Sequence, residues 1–318
     1  MKDILENYYK QIEFGYNLGS NIKFEGKIDK IFVCGMGGSA IPGEILKSYF
    51  HNSKIPIFIV KDYRIPNYLD ENSLVFLISY SGNTEETLSA AQEVVEKTSK
   101  IVGICSGGKL ESFCKSSKIQ AIKIPSGLQP RMAYGYQFFS LLKILENSGL
   151  VGNQRDALNE LIDLVKSSRQ FEDQASKLQK SIKGIPLIYS TESMRAVAYK
   201  WKIDFNENCK ILSFFNIIPE QNHNEINGFV NINGKYNVFI IEDTDDHERT
   251  KKRYEIIKVL IEKKKINVDI VQTKGKNLLT RIVSTIYLGD WVSYLLAIQS
   301  GIDPTPVEII EDLKRKLG

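Results

Sequence analysis

Apolar residues along the chain fall into short continuous runs, each followed by a stretch whose apolar positions recur at helical spacing. The runs are KIFVCG at 30–35, PIFIV at 56–60, SLVFLISY at 73–80, KIVGIC at 100–105 and IQAIKIP at 119–125. Continuous apolar runs of about four to eight residues suit strands buried on both faces, and their alternation with helical periods predicts a parallel sheet covered by helices on each side. After Leu150, GNQRDALNELIDLVKSSRQFEDQASKLQKSIKG reads as polar, amphipathic helix, and a second series opens with IPLIYS at 185–190. The connection between two halves is therefore expected there, giving domains at 1–151 and 152–318.

The halves repeat each other in element order. IFVCGMGGSAIPGEILKSYF at 31–50 matches IPLIYSTESMRAVAYKWKI at 185–203 in character, each a strand, a small-residue turn and a helix. LVFLISYSGNTEETLSAAQEVVEK at 74–97 likewise faces NVFIIEDTDDHERTKKRYEIIKVLIEKK at 237–264. Such a repeat predicts an α/β protein of two αβα sandwich domains with parallel sheets rather than one long sheet. The turn at Glu242-Asp243-Thr244-Asp245-Asp246 is acidic where the first copy is small and hydroxylic, so a phosphate is expected on the first domain only.

Composition narrows the function classes. Hydrophobic residues make up 42% and charged residues 25% of 318, which excludes a largely disordered chain and a small stapled scaffold. A net charge of +4 is too small over this length to point to nucleic acid, and leaves a phosphorylated small molecule as a ligand class. Cys34, Cys105, Cys114 and Cys209 are dispersed without a Cys-x-x-Cys pair and read as reduced thiols of a cytoplasmic protein. The opening MKDILENYYKQIEFGYNLG lacks the apolar core of a signal peptide, and no run of about 18 apolar residues suits a membrane span, so no membrane is expected as a partner.

The densest chemistry lies where strands give way to helices. In Ser79-Tyr80-Ser81-Gly82-Asn83-Thr84-Glu85-Glu86-Thr87 the free N–H groups of a helix start and three hydroxyls favour an anion; a helix N-cap at Ser81 or Thr84 explains the same pattern. Gly35-Met36-Gly37-Gly38-Ser39-Ala40 ends the first strand, where open α/β sheets place ligands, yet it fits neither the P-loop nor the dinucleotide fingerprint. Alone it is a tight turn; beside the first loop it makes a shared pocket. Pro125-Ser126-Gly127-Leu128-Gln129-Pro130-Arg131 follows the last strand of the domain, so the Arg131 guanidinium either faces those strand ends or is a surface residue. In the second half, Asn206-Glu207-Asn208-Cys209-Lys210 and Pro219-Glu220-Gln221-Asn222-His223-Asn224-Glu225-Ile226 are dense in polar groups. His223 has no second ligand at metal spacing, which leaves acid–base work or the hydrogen bonding of buried backbone. Lys263-Lys264-Lys265 and Lys314-Arg315-Lys316 read as solvated faces or helix ends.

Taken together, GMGGSA, SYSGNTEET, PSGLQPRMA, NENCK, PEQNHNEI and the terminal DPTPVEIIEDLKRKLG resemble the bifunctional phosphoglucose/phosphomannose isomerases, within the phosphoglucose isomerase superfamily of double sugar-isomerase (SIS, flavodoxin-like) domains. The resemblance runs over nearly the whole chain. It implies that Ser79, Ser81 and Thr84 hold a substrate phosphate with Gly37, Gly38 and Ser39 lining the pocket, that Glu207 is the base, that His223 opens the sugar ring, and that Arg131 faces the reacting carbons. Lys314 is implied as an assisting lysine, with Lys316 two positions away, and Thr305 as a sugar contact. Cys209 departs from the small residue expected between Asn208 and Lys210. The implied reaction interconverts glucose 6-phosphate, and also mannose 6-phosphate, with fructose 6-phosphate through ring opening and a cis-enediol, with no cofactor and no metal. The implied partners are the hexose 6-phosphates and a second copy, as a homodimer whose active sites form at the subunit interface.

Two rival readings follow from the same residues. A non-catalytic SIS sugar-phosphate sensor would keep SYSGNTEET and lose the base and ring-opening groups, whereas Glu207 and His223 are both present and no basic helix-turn-helix segment precedes the first domain. A phosphohexulose isomerase or the isomerase domain of an amidotransferase fits the two-domain layout less well.

Overall fold

All five apolar runs of the first half form strands in the computed structural model, which describes residues 1–317; Gly318, the last residue of the expected second domain, lies outside them. Helices α1 (Lys2–Glu6) and α2 (Tyr8–Leu18) come first, followed by β1 (Lys30–Cys34), α3 (Ile41–Tyr49), β2 (Ile57–Val60), β3 (Ser73–Ile78), α4 (Glu85–Val94), β4 (Ile101–Cys105), α5 (Gly108–Ser116), β5 (Gln120–Lys123), α6 (Tyr134–Asn147) and α7 (Arg155–Lys166). The strands lie parallel in the order β2–β1–β3–β4–β5. Every residue of β3 is buried, which is why its sequence is a continuous apolar run. On the edge strand β5 only Ile122 is buried. α4 turns Ala90, Ala91 and Val94 onto Val75 and Leu77 of β3, and each such fully buried aliphatic side chain of Val or Leu size stabilises the fold by about 1.5–3 kcal/mol.

The second half continues with α8 (Ser168–Ser181), β6 (Ile185–Ser190), α9 (Arg195–Asn208), β7 (Phe214–Ile217), β8 (Tyr236–Glu242), α10 (Glu248–Glu262), β9 (Asn267–Gln272), α11 (Leu278–Gln299) and α12 (Glu308–Leu317). Its parallel strands lie in the order β7–β6–β8–β9, the order of β2–β1–β3–β4 over again. The repeat in element order is thus a repeat in topology. β7 and β9 carry no long apolar run: β7 has no fully buried residue, and Asp269 interrupts β9.

Residues Asn7–Lys166 and Gly275–Val283 form one compact unit around the five-stranded sheet, and Met1–Glu6, Ser167–Lys274 and the chain from Ser284 onward form the other around the four-stranded sheet. The expected boundary at 151/152 falls in the connection between α6 and α7. Among the described residues α11 is the one helix long and apolar enough to cross a membrane; 72% of its apolar window is buried inside the protein, and Arg281 and Asp290 interrupt it, as befits a core helix.

Candidate active site

The crossovers leaving β1 and β3 run to opposite sides of the five-stranded sheet, so a crevice opens between the C-terminal ends of these two strands, the place where open α/β sheets take their ligands. The loop 35–40 leaves β1 and the loop 79–84 leaves β3. Ser39 joins them, its buried hydroxyl accepting the Tyr80 N–H at 3.0 Å. Within the second loop the Ser79 and Thr84 hydroxyls bond each other at 2.8 Å, and Ser79 Oγ also accepts the Thr84 N–H at 3.4 Å. Ser81 is exposed, its Oγ accepting the Asn83 N–H at 3.2 Å.

Thr84 occupies the N-cap of α4 in extended conformation, yet its side chain makes no capping bond. The first backbone bond of the helix runs from Leu88 N–H to Thr84 C=O, so the N–H groups of Glu85, Glu86 and Thr87 have no partner within the helix. The capping alternative of the sequence is met in position but not in hydrogen bonding. Free amides at the positive end of a helix beside three hydroxyls suit a tetrahedral oxyanion.

The loop 125–131 closes the third side. Tyr80 reaches across to it, donating from its hydroxyl to Pro125 C=O at 3.1 Å and accepting the Leu128 N–H at 2.7 Å. Arg131, 1% exposed, sits in a 3-10 turn at Pro130–Met132 against the glycine loop. A β-carbon on Gly38 would stand 2.5 Å from Arg131 N and 2.7 Å from the Pro130 carbonyl carbon, so only glycine lets the loops meet. Gly37, with φ of +51°, turns the chain into that contact. Gly37, Gly38, Ser39, Ser79, Ser81, Thr84 and Arg131 are thus brought together at one strand-end crevice. Tyr80, which pins two of its loops, went unremarked in the sequence although it lies inside the hydroxyl-rich motif.

The equivalent crevice of the other unit is filled by the chain itself. The Asp246 carboxylate accepts from the Thr191 hydroxyl at 2.8 Å, the Tyr254 hydroxyl at 2.7 Å and the Asp243 N–H at 2.8 Å. Burial, with the Asp246 charge adding to it, pushes the Tyr254 hydroxyl well above the ordinary phenol range, so Tyr254 remains a donor. A fixed carboxylate already takes the donors that a phosphate would need.

Glu207 lies in the last turn of α9, half-buried, on the wall of a cavity of about 610 Å3 that it shares with Lys202, Lys210, Phe214, Asp303 and Pro306. Behind it, α9 is fastened to α11: Lys200 Nζ bonds Asp204 and Asp290, both at 2.5 Å, and Asn208 donates to the Ser293 hydroxyl at 2.9 Å. Thr305 is exposed, its N–H on Asp303 at 2.8 Å, and Lys314 projects from an exposed position of α12.

His223 ends the 3-10 turn Glu220–His223 and is exposed. Around it, Asn224 Nδ2 donates to Glu220 at 2.7 Å, while Glu225 accepts from the Tyr189 hydroxyl at 2.6 Å and from Asn216 at 2.5 Å. Glu225 is therefore engaged away from the cavity that Glu207 lines. His223 is not among the residues that line the Glu207 cavity. That cavity takes in Phe214, the first residue of β7, whereas His223 comes six residues after Ile217, the last.

A relative from Caldicellulosiruptor bescii named bifunctional phosphoglucose/phosphomannose isomerase is 39% identical over 98% of this chain and 96% of its own length. One of the same name from Aquifex aeolicus is 36% identical over 99% and 97%. The chain belongs to this family. Within it, the family model of the SIS domain matches residues 27–128, and that of the bacterial phospho-glucose isomerase C-terminal SIS domain matches 171–317. Among solved structures, the C-terminal domain of glucosamine-fructose-6-phosphate aminotransferase from Francisella tularensis superposes with a TM-score of 0.73 over 96% of this chain and 98% of that one, at 16% identity, a likeness of fold. The family places an α/β isomerase architecture on the two parallel sheets described above, as the sequence led one to expect.

Proposed function

We propose that the chain is an isomerase interconverting glucose 6-phosphate and mannose 6-phosphate with fructose 6-phosphate, working without a cofactor. The observation that carries this reading is the crevice at β1 and β3, where uncapped helix amides and the Ser39, Ser79, Ser81 and Thr84 hydroxyls offer donors suited to a phosphate dianion. A sugar-phosphate sensor needs that crevice alone. The near-full-length likeness to proteins named as isomerases favours the catalytic reading, as does the place of Glu207 in the wall of a cavity.

In the proposed reaction His223, assisted by Lys314, delivers a proton to the ring oxygen as the C1–O5 bond breaks and the C1 hydroxyl gives up its proton, leaving the open-chain aldehyde. Glu207 then removes the proton from C2, the electron pair moves into a C1–C2 double bond, and O1 is protonated to give the cis-enediol. Returning the proton to C1, as O2 loses its own, yields the ketose. The Arg131 guanidinium balances the negative charge on the enediolate oxygens, and Thr305 contacts the sugar. Positioned acid–base groups typically contribute about 10²–10⁴-fold each. Because the enediol is planar at C2, reprotonation on either face produces the glucose or the mannose epimer, so one site serves both.

The exposed His223, outside the lining of the Glu207 cavity, supports a homodimer in which His223 serves the partner's site. Four buried, free thiols fit a cytoplasmic protein, where reducing conditions prevail. The test is conversion of fructose 6-phosphate to both aldoses by one EDTA-treated preparation, alongside Glu207→Gln. The substitution should abolish exchange of the C2 proton with solvent while substrate still binds; exchange at the wild-type rate refutes Glu207 as the base.

A further inference from the structure

Lys210 stands where the chain leaves α9, three residues after Glu207, with a left-handed backbone at φ of +57°. Helices commonly place glycine at that position, because any β-carbon is crowded there. A lysine kept in this conformation calls for a compensating contact, and its side chain supplies one. The Lys210 ammonium donates to the carbonyl oxygen of Glu207 itself at 2.6 Å and to that of Pro304 at 3.4 Å. The first bond satisfies a carbonyl of the last helical turn that has no donor within the helix. The second ties the end of the helix to the segment 303–306, which is itself folded back by the Thr305 N–H on the Asp303 carboxylate. Asp303, Glu207 and Lys210 all line the same cavity of about 610 Å3. The Thr305 amide, with a smaller contribution from the Lys210 charge, holds the Asp303 carboxyl below the usual carboxylate range, so a charged acceptor persists beside the ammonium.

We propose that Lys210 is a positioning residue: by clamping the Glu207 carbonyl to the Pro304 carbonyl it fixes the end of α9, and with it the direction in which the Glu207 carboxylate enters the cavity. The proposal rests on the reading of Glu207 as the base. It differs from a plain helix stop, which glycine would provide as well or better.

Lys210→Gly separates the two, since it removes the crowded β-carbon and both ammonium bonds at once. The full-length protein with this change should keep its melting temperature and its KM while kcat falls by about 10²-fold, the scale of an ångström-sized misplacement of a reacting group. Lys210→Met should lose kcat similarly, and Lys210→Arg, which keeps N–H donors on a long stem, should recover most of it. Wild-type kcat in Lys210→Gly, or no recovery in a folded Lys210→Arg, overturns the proposal. Glu207→Gln is measured in parallel: if that variant still exchanges the C2 proton at the wild-type rate, the base assignment has failed, whereas an inactive Glu207→Gln beside a fully active Lys210→Gly condemns the clamp alone.

Discussion

Replacing Lys200 by methionine should destabilise the unit around the four-stranded sheet more than any other single change to its charged residues. Lys200, Asp204 and Asp290 are each shut off from solvent, with the ammonium 2.5 Å from both carboxyl groups. Burial works against the Lys200 charge, but Asp204 and Asp290 outweigh it and hold the ammonium above the ordinary lysine range. Burial also keeps the Asp204 carboxyl well above the usual carboxylate range against the pull of Lys200, and Asp290 adds to that. The cluster thus sets one buried ammonium against two buried carboxyl groups. Methionine keeps the stem and removes the ammonium that Asp204 and Asp290 share; breaking a buried pair in this way costs about 3–5 kcal/mol. That corresponds to a fall of about 6–20 °C in melting temperature for a unit of this size. Asp204→Asn keeps the shape and an oxygen acceptor for the ammonium and should cost less, on the order of 1 kcal/mol, the scale of one hydrogen bond.

Urea unfolding followed by tryptophan fluorescence reads this unit selectively, since Trp201 and Trp291, the two tryptophans of the chain, are both buried within it. pH gives a second readout. Because the folded pKa of Asp204 lies above the unfolded value of about 3.9, its contribution is fully present below that value and is lost as pH rises from it toward the folded pKa. The stability difference between wild type and Asp204→Asn should therefore shrink or reverse against wild type as pH rises through that window. A loss below about 1 kcal/mol in Lys200→Met, or an equal loss in both variants, refutes the reasoning.

Ser81→Ala with Thr84→Ala should raise KM and weaken a phosphorylated inhibitor such as 5-phosphoarabinonate, whereas unchanged affinity in the folded double variant would put the phosphate elsewhere. Gly38→Ala drives a β-carbon into the Arg131 backbone, so kcat/KM should fall about 10²-fold as the loop contact opens, read by steady-state kinetics against an unchanged far-ultraviolet spectrum. Mixing Glu207→Gln with His223→Ala subunits in equal amounts should restore about a quarter of wild-type activity if His223 serves the partner's site, because about half of all dimers are then mixed and each of these carries one intact site of its two. No recovery after subunit exchange would place both groups in one subunit's site.

The strands β1 to β5 and the hydroxyl-rich loop were legible because short apolar runs, continuous where a strand such as β3 is buried on both faces, and turn chemistry are local properties of a sequence. β7 and β9 escaped the same reading, since a short half-exposed edge and a strand broken by Asp269 leave no continuous apolar run. The three hydroxyls of the loop 79–84 look alike in sequence; in the fold Ser79 is committed to Thr84 and Ser81 is exposed.

By itself the sequence determined the α/β class, the repeat of two parallel sheets, the family and the residue types able to hold a phosphate and move a proton. The tertiary structure alone decided which of them meet. It set Ser39, Tyr80 and Arg131 around one crevice, gave the matching crevice its own carboxylate in Asp246, engaged Glu225 with Tyr189 and Asn216, and left His223 out of the lining of the cavity that holds Glu207. The reason is physical: apolar period and capping chemistry act over a few residues, whereas the partner of a polar side chain depends on strand order and helix packing that join residues far apart in the chain.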